Sequence, residues 1–197
     1  MNVGERHPMH NILRATILSG ALCALAVSGP VSADETRDHG AHVHGTARLD
    51  IAFVGGELAL DLYSPAMNIV GFEHEPGNNA QREQLEDALS TLRDAGRVFS
   101  VTDAAGCRTV LSEASRVAED GHEEHGEHGR HDGHADTAHS ELQARYRYEC
   151  SAPAALEWIE VRLFELFPAI ERIRVRMLTD TSQRAMVLLP DNADVPF

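Results

Sequence analysis

Residues 47–63 carry the sequence ARLDIAFVGGELALDLY, which holds two alternating segments joined by a pair of glycines. Large apolar side chains stand at Leu49, Ile51 and Phe53, and they recur at every second position after the glycines. A period of two is typical of half-buried β-strands, and Gly-Gly is a signal for a two-residue hairpin turn. The stretch therefore predicts an antiparallel hairpin with one buried face.

The rest of the chain adds one long helix and several strands to this hairpin. A helix is predicted over residues 80–95, because Asn78 and Asn79 can cap it and apolar residues then follow at helical spacing. Further strands are predicted over residues 98–103, 107–117, 141–150, 158–163, 173–178 and 185–189, with a compact or helical piece at 164–170 and a loose tail at 191–197. Together these elements predict an α+β fold, a single domain with one mostly antiparallel sheet and a helix packed on one face.

Residues 1–33 have the order of a secretory signal peptide. A weakly cationic start precedes an apolar run over residues 17–27, and small residues lead up to Ala33. We expect export with cleavage after Ala33; a buried helix and a signal anchor are the alternatives. The residue before Cys23 is Leu22 rather than a small residue, so we expect no lipid anchor.

The mature chain, residues 34–197, keeps two cysteines, Cys107 and Cys150. An exported protein meets an oxidising compartment, where a lone pair of cysteines usually forms a disulfide. We therefore expect a bond between them, with two separately buried thiols as the alternative. The bond would pair the strands at 107–117 and 141–150 antiparallel and make the segment between them a hairpin loop.

The charge of the chain excludes several classes of function. Its 17 basic residues, all arginine, face 31 acidic ones, for a net charge of −14. Such a chain has no general electrostatic attraction to nucleic acid or to an anionic membrane. It has no lysine, no Cys-x-x-Cys, no Gly-x-Ser-x-Gly, no phosphate-binding loop and no complete His-Glu-x-x-His. We therefore expect no enzymatic activity.

Half of the 12 histidines lie in one acidic, glycine-rich insert, residues 118–140. Its glycines make a stable helix costly, and in an extended segment a spacing of three brings the imidazoles to one side. Imidazole binds Zn, Cu and Ni, and carboxylates can complete the coordination. The insert predicts several weak, exchangeable metal sites, with a solvated linker as the alternative. Its candidate ligands are His122, His125, His128, His131, His134 and His139.

Two further histidine segments are candidates for metal binding. In a strand, His42 and His44 face the same side and can clamp one metal ion, and His39 can reach it from the N-terminal side. An ordinary polar N-terminus is the alternative. His74 lies between two acidic residues, which on its own is more typical of a surface ion pair. It becomes a stronger candidate if the fold brings it near the other two.

Three segments resemble the signatures of the ZrgA-type periplasmic zinc-binding proteins. They are AHVHG at 41–45, SPAMNIVGFEHEP at 64–76 and LFELFP at 163–168. The cysteine pair around an acidic, His-rich insert resembles the same family. The resemblance implies zinc binding in the periplasm in support of zinc import. It implies a metal-related role for the motif positions His42, His44 and His74, and for the insert histidines only as a group.

We therefore expect a periplasmic protein that binds several Zn²⁺ ions and buffers them or delivers them to a zinc importer or its receptor. A receptor component of a metal ABC importer is one alternative, although such receptors need two lobes and a longer chain. A nickel- or copper-handling protein is another, because imidazole binds those metals at least as well. A metal-dependent enzyme is the third.

Overall fold

The computed structural model describes residues 43–118 and 139–197. Its strands are β1 (Thr46–Val54), β2 (Glu57–Pro65), β3 (Phe99–Val101), β4 (Cys107–Ala118), β5 (Ser140–Cys150), β6 (Trp158–Val161), β7 (Arg172–Thr179), β8 (Gln183–Leu188) and β9 (Asp194–Pro196). Its helices are α1 (Ala66–Val70), α2 (Asn79–Arg93), α3 (Ala95–Val98) and α4 (Leu163–Leu166). None of these described helices is long and apolar enough to cross a membrane.

The main sheet has six strands in the order β4-β5-β2-β1-β7-β8, so the hairpin formed by β1 and β2 lies at its centre. Leu49 pairs with Leu62 and Ile51 with Leu60, and these four side chains are at most 3% exposed. The neighbouring pairs are antiparallel except β1 with β7, which run parallel. The predicted hairpin and the predicted α+β fold are confirmed.

Helix α2 packs one face on the sheet. The side chain of Asn78 caps it by accepting a hydrogen bond from the backbone N–H of Gln81 at 2.9 Å. Leu92 is fully buried, and its carbonyl accepts a hydrogen bond from the hydroxyl of Tyr146 in β5 at 2.6 Å. Burial raises the pKa of the Tyr146 phenol well above its usual value, which keeps it a donor to the helix.

A second sheet, with three strands in the order β3-β6-β9, differs from the single sheet that the sequence predicts. The prediction of a loose tail is wrong, because Val195 pairs with Ile159 and both are fully buried. The Phe197 ring also packs edge-on against Phe53 at 5.6 Å. Ala193, Val195 and Phe197 alternate in this segment, but the alternation is short and interrupted by Pro196, and the pairing with β6 is what makes it a strand.

Strands β4 and β5 pair antiparallel from Cys107↔Cys150 at one end to Ala118↔Ser140 at the other. The predicted disulfide between Cys107 and Cys150 is present. It lies at the end of the strand pair opposite to the insert, because the insert leaves β4 after Ala118. The hairpin loop itself, residues 119–138, lies outside the described residues.

Candidate metal centre

Helix α1 ends in a sharp turn that directs Glu73 into the protein. Gly71 follows the helix in the left-handed conformation, with φ of 74°, and its N–H donates to the carbonyl of Met67. Glycine adopts this conformation at little cost because it lacks a Cβ. Phe72 is then buried, and the side chain of Glu73 is only 10% exposed. A carboxylate so far from water needs partners that stabilise its charge.

The backbone of Glu73 is held by the two strands that flank the insert. The hydroxyl of Ser140 in β5 donates to the Glu73 carbonyl at 2.7 Å, and the guanidinium of Arg116 in β4 donates to it at 3.1 Å. Ser140 is fully buried, and Arg116 also forms an ion pair with Glu75. The ends of β4 and β5 therefore fix the position from which the carboxylate extends.

His139 contacts one oxygen of this carboxylate. Its Nδ1 lies 2.5 Å from Oε2 of Glu73. In metal sites, a carboxylate that accepts a hydrogen bond from a ring nitrogen fixes the orientation of a histidine ligand. The sequence groups His139 with the insert, but the structure places it beside the buried Ser140, at the start of β5.

His44 contacts the other oxygen of the carboxylate. Its Nε2 lies 3.4 Å from Oε1 of Glu73. The turn before β1 requires Gly45, which has φ of 78°, and a Cβ there would stand 2.9 Å from the side chain of Glu171. The sequence therefore fixes the backbone immediately after His44, and with it the approach of the imidazole to Glu73.

The Oε1 oxygen of Glu73 is buried and has no hydrogen-bond donor among the described residues. The two imidazoles beside the carboxylate remain about half exposed, at 59% for His44 and 53% for His139. No group of three or more His, Cys, Asp or Glu side chains within 43–118 and 139–197 is arranged to hold a metal ion as it stands. Instead, one buried carboxylate lies in contact with two half-exposed imidazoles. This donor set fits a divalent cation such as Zn²⁺.

Comparison with known families assigns the chain. A family model described as "ZrgA family zinc uptake protein" matches residues 41–197. The chain belongs to the ZrgA family. Comparison with curated protein sequences finds no match. Membership confirms the resemblance based on the motifs and gives this ZrgA-family protein a role related to zinc, in a family described by uptake rather than by catalysis.

His74, a motif position in this ZrgA-family chain, contacts residues on either side of Glu73 in the chain, Phe72 and Glu75. Its Nδ1 is 2.8 Å from the backbone carbonyl of Glu75, and its ring stacks on Phe72 with centroids 5.2 Å apart. A backbone partner on Nδ1 fixes the tautomer that leaves Nε2 able to bind a metal. A role for His74 as a ligand therefore stays a prediction.

The other predicted ligands lie outside the part of the chain that the structure describes. His42 immediately precedes the first described residue and is two positions from His44. The remaining ones are His39, His122, His125, His128, His131 and His134.

Glu73 is the site residue that sequence reasoning missed. It appears there only as one of two acids beside His74, and charge alone does not distinguish it from Glu75. The structure separates them, because the side chain of Glu73 is 10% exposed and that of Glu75 is 78% exposed. The available signal was the glycine two positions earlier, since Gly71 can end α1 and reverse the chain toward the core.

Proposed function

We propose that this ZrgA-family protein is exported to the periplasm, binds Zn²⁺ there, and buffers the ion or delivers it to a zinc importer or its receptor. In this proposal residues 1–33 are the signal peptide and residues 34–197 the mature domain, with residues 118–140 as its insert. Family membership supports the zinc-related role. The observation that carries the proposal is Oε1 of Glu73, which is buried, lies 3.4 Å from Nε2 of His44 and has no hydrogen-bond donor among the described residues.

The mature domain is proposed to contain two kinds of zinc site. The first, here called the structured site, consists of His44, Glu73 and His139, with His42 as the proposed fourth ligand. Its described ligands extend from the ends of strands and a tight turn, so little freedom is lost when an ion binds. A tetrahedral arrangement of histidine and carboxylate ligands is the usual one for Zn²⁺.

The insert supplies the second kind of site. Its glycines and its regular histidine spacing favour several weak, exchangeable ions rather than one rigid centre. Its acidic residues raise the local concentration of cations. His39 and His74 can contribute further weak ligands near the structured site. His139, the last histidine of the insert, contacts Glu73, so the insert is joined directly to the structured site.

The alternative is a nickel or copper cargo, and it rests on the same histidine content. The imidazoles alone do not discriminate between these ions, because imidazole binds Zn²⁺, Ni²⁺ and Cu²⁺, and the general order of divalent affinities does not favour Zn²⁺ over Cu²⁺. The decisive measurement is the metal content of the protein purified from the periplasm of zinc-limited cells. Zinc at one or more ions per chain supports the proposal, and nickel or copper in its place contradicts it.

Deleting residues 120–138 is expected to leave the fold intact and to remove more than one bound zinc ion. Strands β4 and β5 are already paired out to Ala118↔Ser140, so the core does not depend on the deleted residues. The deletion stops before His139 so that the structured site keeps this residue. Circular dichroism and a zinc titration measure the two effects, and an unfolded product or an unchanged stoichiometry would contradict the assignment.

Zinc affinity is expected to fall steeply between about pH 7 and pH 5. Histidine must be neutral to bind a metal, and its reference pKa is about 6.5, so protons compete with zinc over this range. Affinity is present above the range and lost as the pH falls through it. A competition titration at several pH values measures the change. Undiminished affinity at pH 5 would show that carboxylates, rather than imidazoles, dominate binding.

A further inference from the structure

The amide side chain of Asn68 links the segment that carries His44 to the segment that carries Glu73. Its Oδ1 accepts a hydrogen bond from the backbone N–H of Gly45 at 2.7 Å, and its Nδ2 donates to the backbone carbonyl of Thr46 at 3.1 Å. Nδ2 also donates to the hydroxyl of Ser64 at 3.3 Å. Asn68 is 3% exposed, so these protein contacts take the place of water.

Asn68 lies between His44 and Glu73 in the path of the backbone contacts. Asn68 lies in α1, and the turn that ends α1 leads to Glu73 five residues later. Its partners Gly45 and Thr46 directly follow His44. One buried side chain therefore connects the backbone beside His44 to the helix that leads to Glu73.

The start of β7 holds the same turn through a second set of hydrogen bonds. The carbonyl of Gly45 accepts hydrogen bonds from the backbone N–H groups of Glu171 at 2.8 Å and Arg172 at 3.0 Å. Gly45 is thus held through its N–H by Asn68 and through its carbonyl by the start of β7. Without the amide, only one of these two anchors remains, and the turn that carries His44 gains freedom relative to Glu73.

We propose that Asn68 is a positioning residue of the structured zinc site: its buried amide holds His44 at the distance from Glu73 at which one ion can bind both. The inference rests on the proposed function, because it needs His44 and Glu73 to be zinc ligands. Partners that orient metal ligands typically change affinity by about 10–100-fold when they are lost. The zinc affinity of the structured site should therefore fall by about this factor in Asn68→Ala, through loss of preorganisation rather than of a ligand.

The test uses the mature chain, residues 34–197, and follows the first equivalent of zinc, because the sites of the insert are proposed to be weaker. Zinc affinity is determined by competition with a chromophoric chelator, at a temperature well below the unfolding transition of every variant. The visible absorption spectrum of the Co²⁺-substituted protein reports the geometry and number of ligands. We expect weaker zinc binding and weaker, shifted Co²⁺ bands in Asn68→Ala.

Thr102→Ala is the matched control. Thr102 is 8% exposed, its hydroxyl donates to the carbonyl of Trp158 at 2.9 Å, and it accepts hydrogen bonds from the N–H groups of Glu157 and Trp158. It is thus another buried polar side chain that joins two segments, but it lies between β3 and β6, apart from the site. We expect it to lower the melting temperature and to leave zinc affinity and the Co²⁺ spectrum unchanged.

The outcomes separate this inference from the proposed function. If Glu73→Gln and His44→Ala weaken zinc binding but folded Asn68→Ala binds zinc and Co²⁺ like the parent, the positioning role is wrong and the site stands. If none of the three weakens binding, the structured site itself is wrong. Should Asn68→Ala fail to fold, Asn68→Ser, which keeps a polar group but is too short to replace the amide contacts with Gly45 and Thr46, is judged by the same criteria.

Discussion

Replacing Glu73 with glutamine is expected to weaken zinc binding at the structured site by at least about a hundredfold while the protein stays folded. The loss of a residue that only orients a ligand already costs about 10–100-fold, and Glu73 contacts both imidazoles directly. Glutamine keeps the shape of the side chain and leaves the backbone carbonyl available to Ser140 and Arg116. The substitution therefore removes the negative charge without removing the contacts that hold the segment.

Glu75→Gln is the matched control for this prediction. It removes one carboxylate charge two positions away, from a side chain that is 78% exposed and paired with Arg116 rather than with a histidine. Zinc affinity of both variants is measured in the chain that lacks residues 120–138. Glu73→Gln should lose the tight site and Glu75→Gln should keep it. Equal affinities in the two variants would show that the buried carboxylate takes no part in binding.

His44→Ala and His139→Ala should each weaken the same site, and their effects should not add. If one ion binds between them, the first substitution already removes most of the binding energy that the second could remove. The double variant should thus resemble the weaker of the two single variants. Additive effects would instead indicate two independent ions, one at each imidazole.

The central hairpin and the long helix could be predicted from the sequence because local pattern and burial coincide there. Each large apolar side chain at the alternating positions Leu49, Ile51, Leu60 and Leu62 is buried against the core. Helix α2 is capped by Asn78 as predicted; it begins at Asn79, one residue earlier than expected, and ends at Arg93, two residues earlier than expected. The side chain of Asp94 accepts a hydrogen bond from the N–H of Arg97 and starts a separate short helix.

The second sheet and the centre of the site could not be predicted, because both depend on contacts between distant parts of the chain. Strand β9 exists only through its pairing with β6, and no period within a three-residue strand reveals it. The backbone of Glu73 is held in its buried position by residues far along the chain, because Arg116 and Ser140, 67 positions later, both donate to its carbonyl. The sequence identifies His44 and His139 as candidate metal ligands, but it does not identify the carboxylate of Glu73 that both imidazoles contact.

Replacing both Cys107 and Cys150 with serine is expected to lower the free energy of unfolding by about 2–5 kcal/mol and to leave the number of bound zinc ions unchanged. The two cysteines are 43 positions apart, and closing a loop of this length is worth about 4 kcal/mol in the chain-entropy model. Strand β4 has 12 residues between the disulfide end and the insert end. The bond is thus roughly 35 Å from the structured site along the strand.

Stability is measured by urea denaturation and zinc by metal analysis of the purified protein, each for the variant, the oxidised parent and the parent kept under a reducing agent. The reduced parent is the control that separates loss of the bond from the change of side chain, and it should lose nearly as much stability as the double variant. A bonded sulfur offers no thiolate to a metal, so a thiol-blocking reagent should not alter zinc binding by the oxidised parent. Two reactive thiols in the native protein, or one zinc ion fewer in the double variant, would mean that the cysteines bind metal instead of fastening β4 to β5.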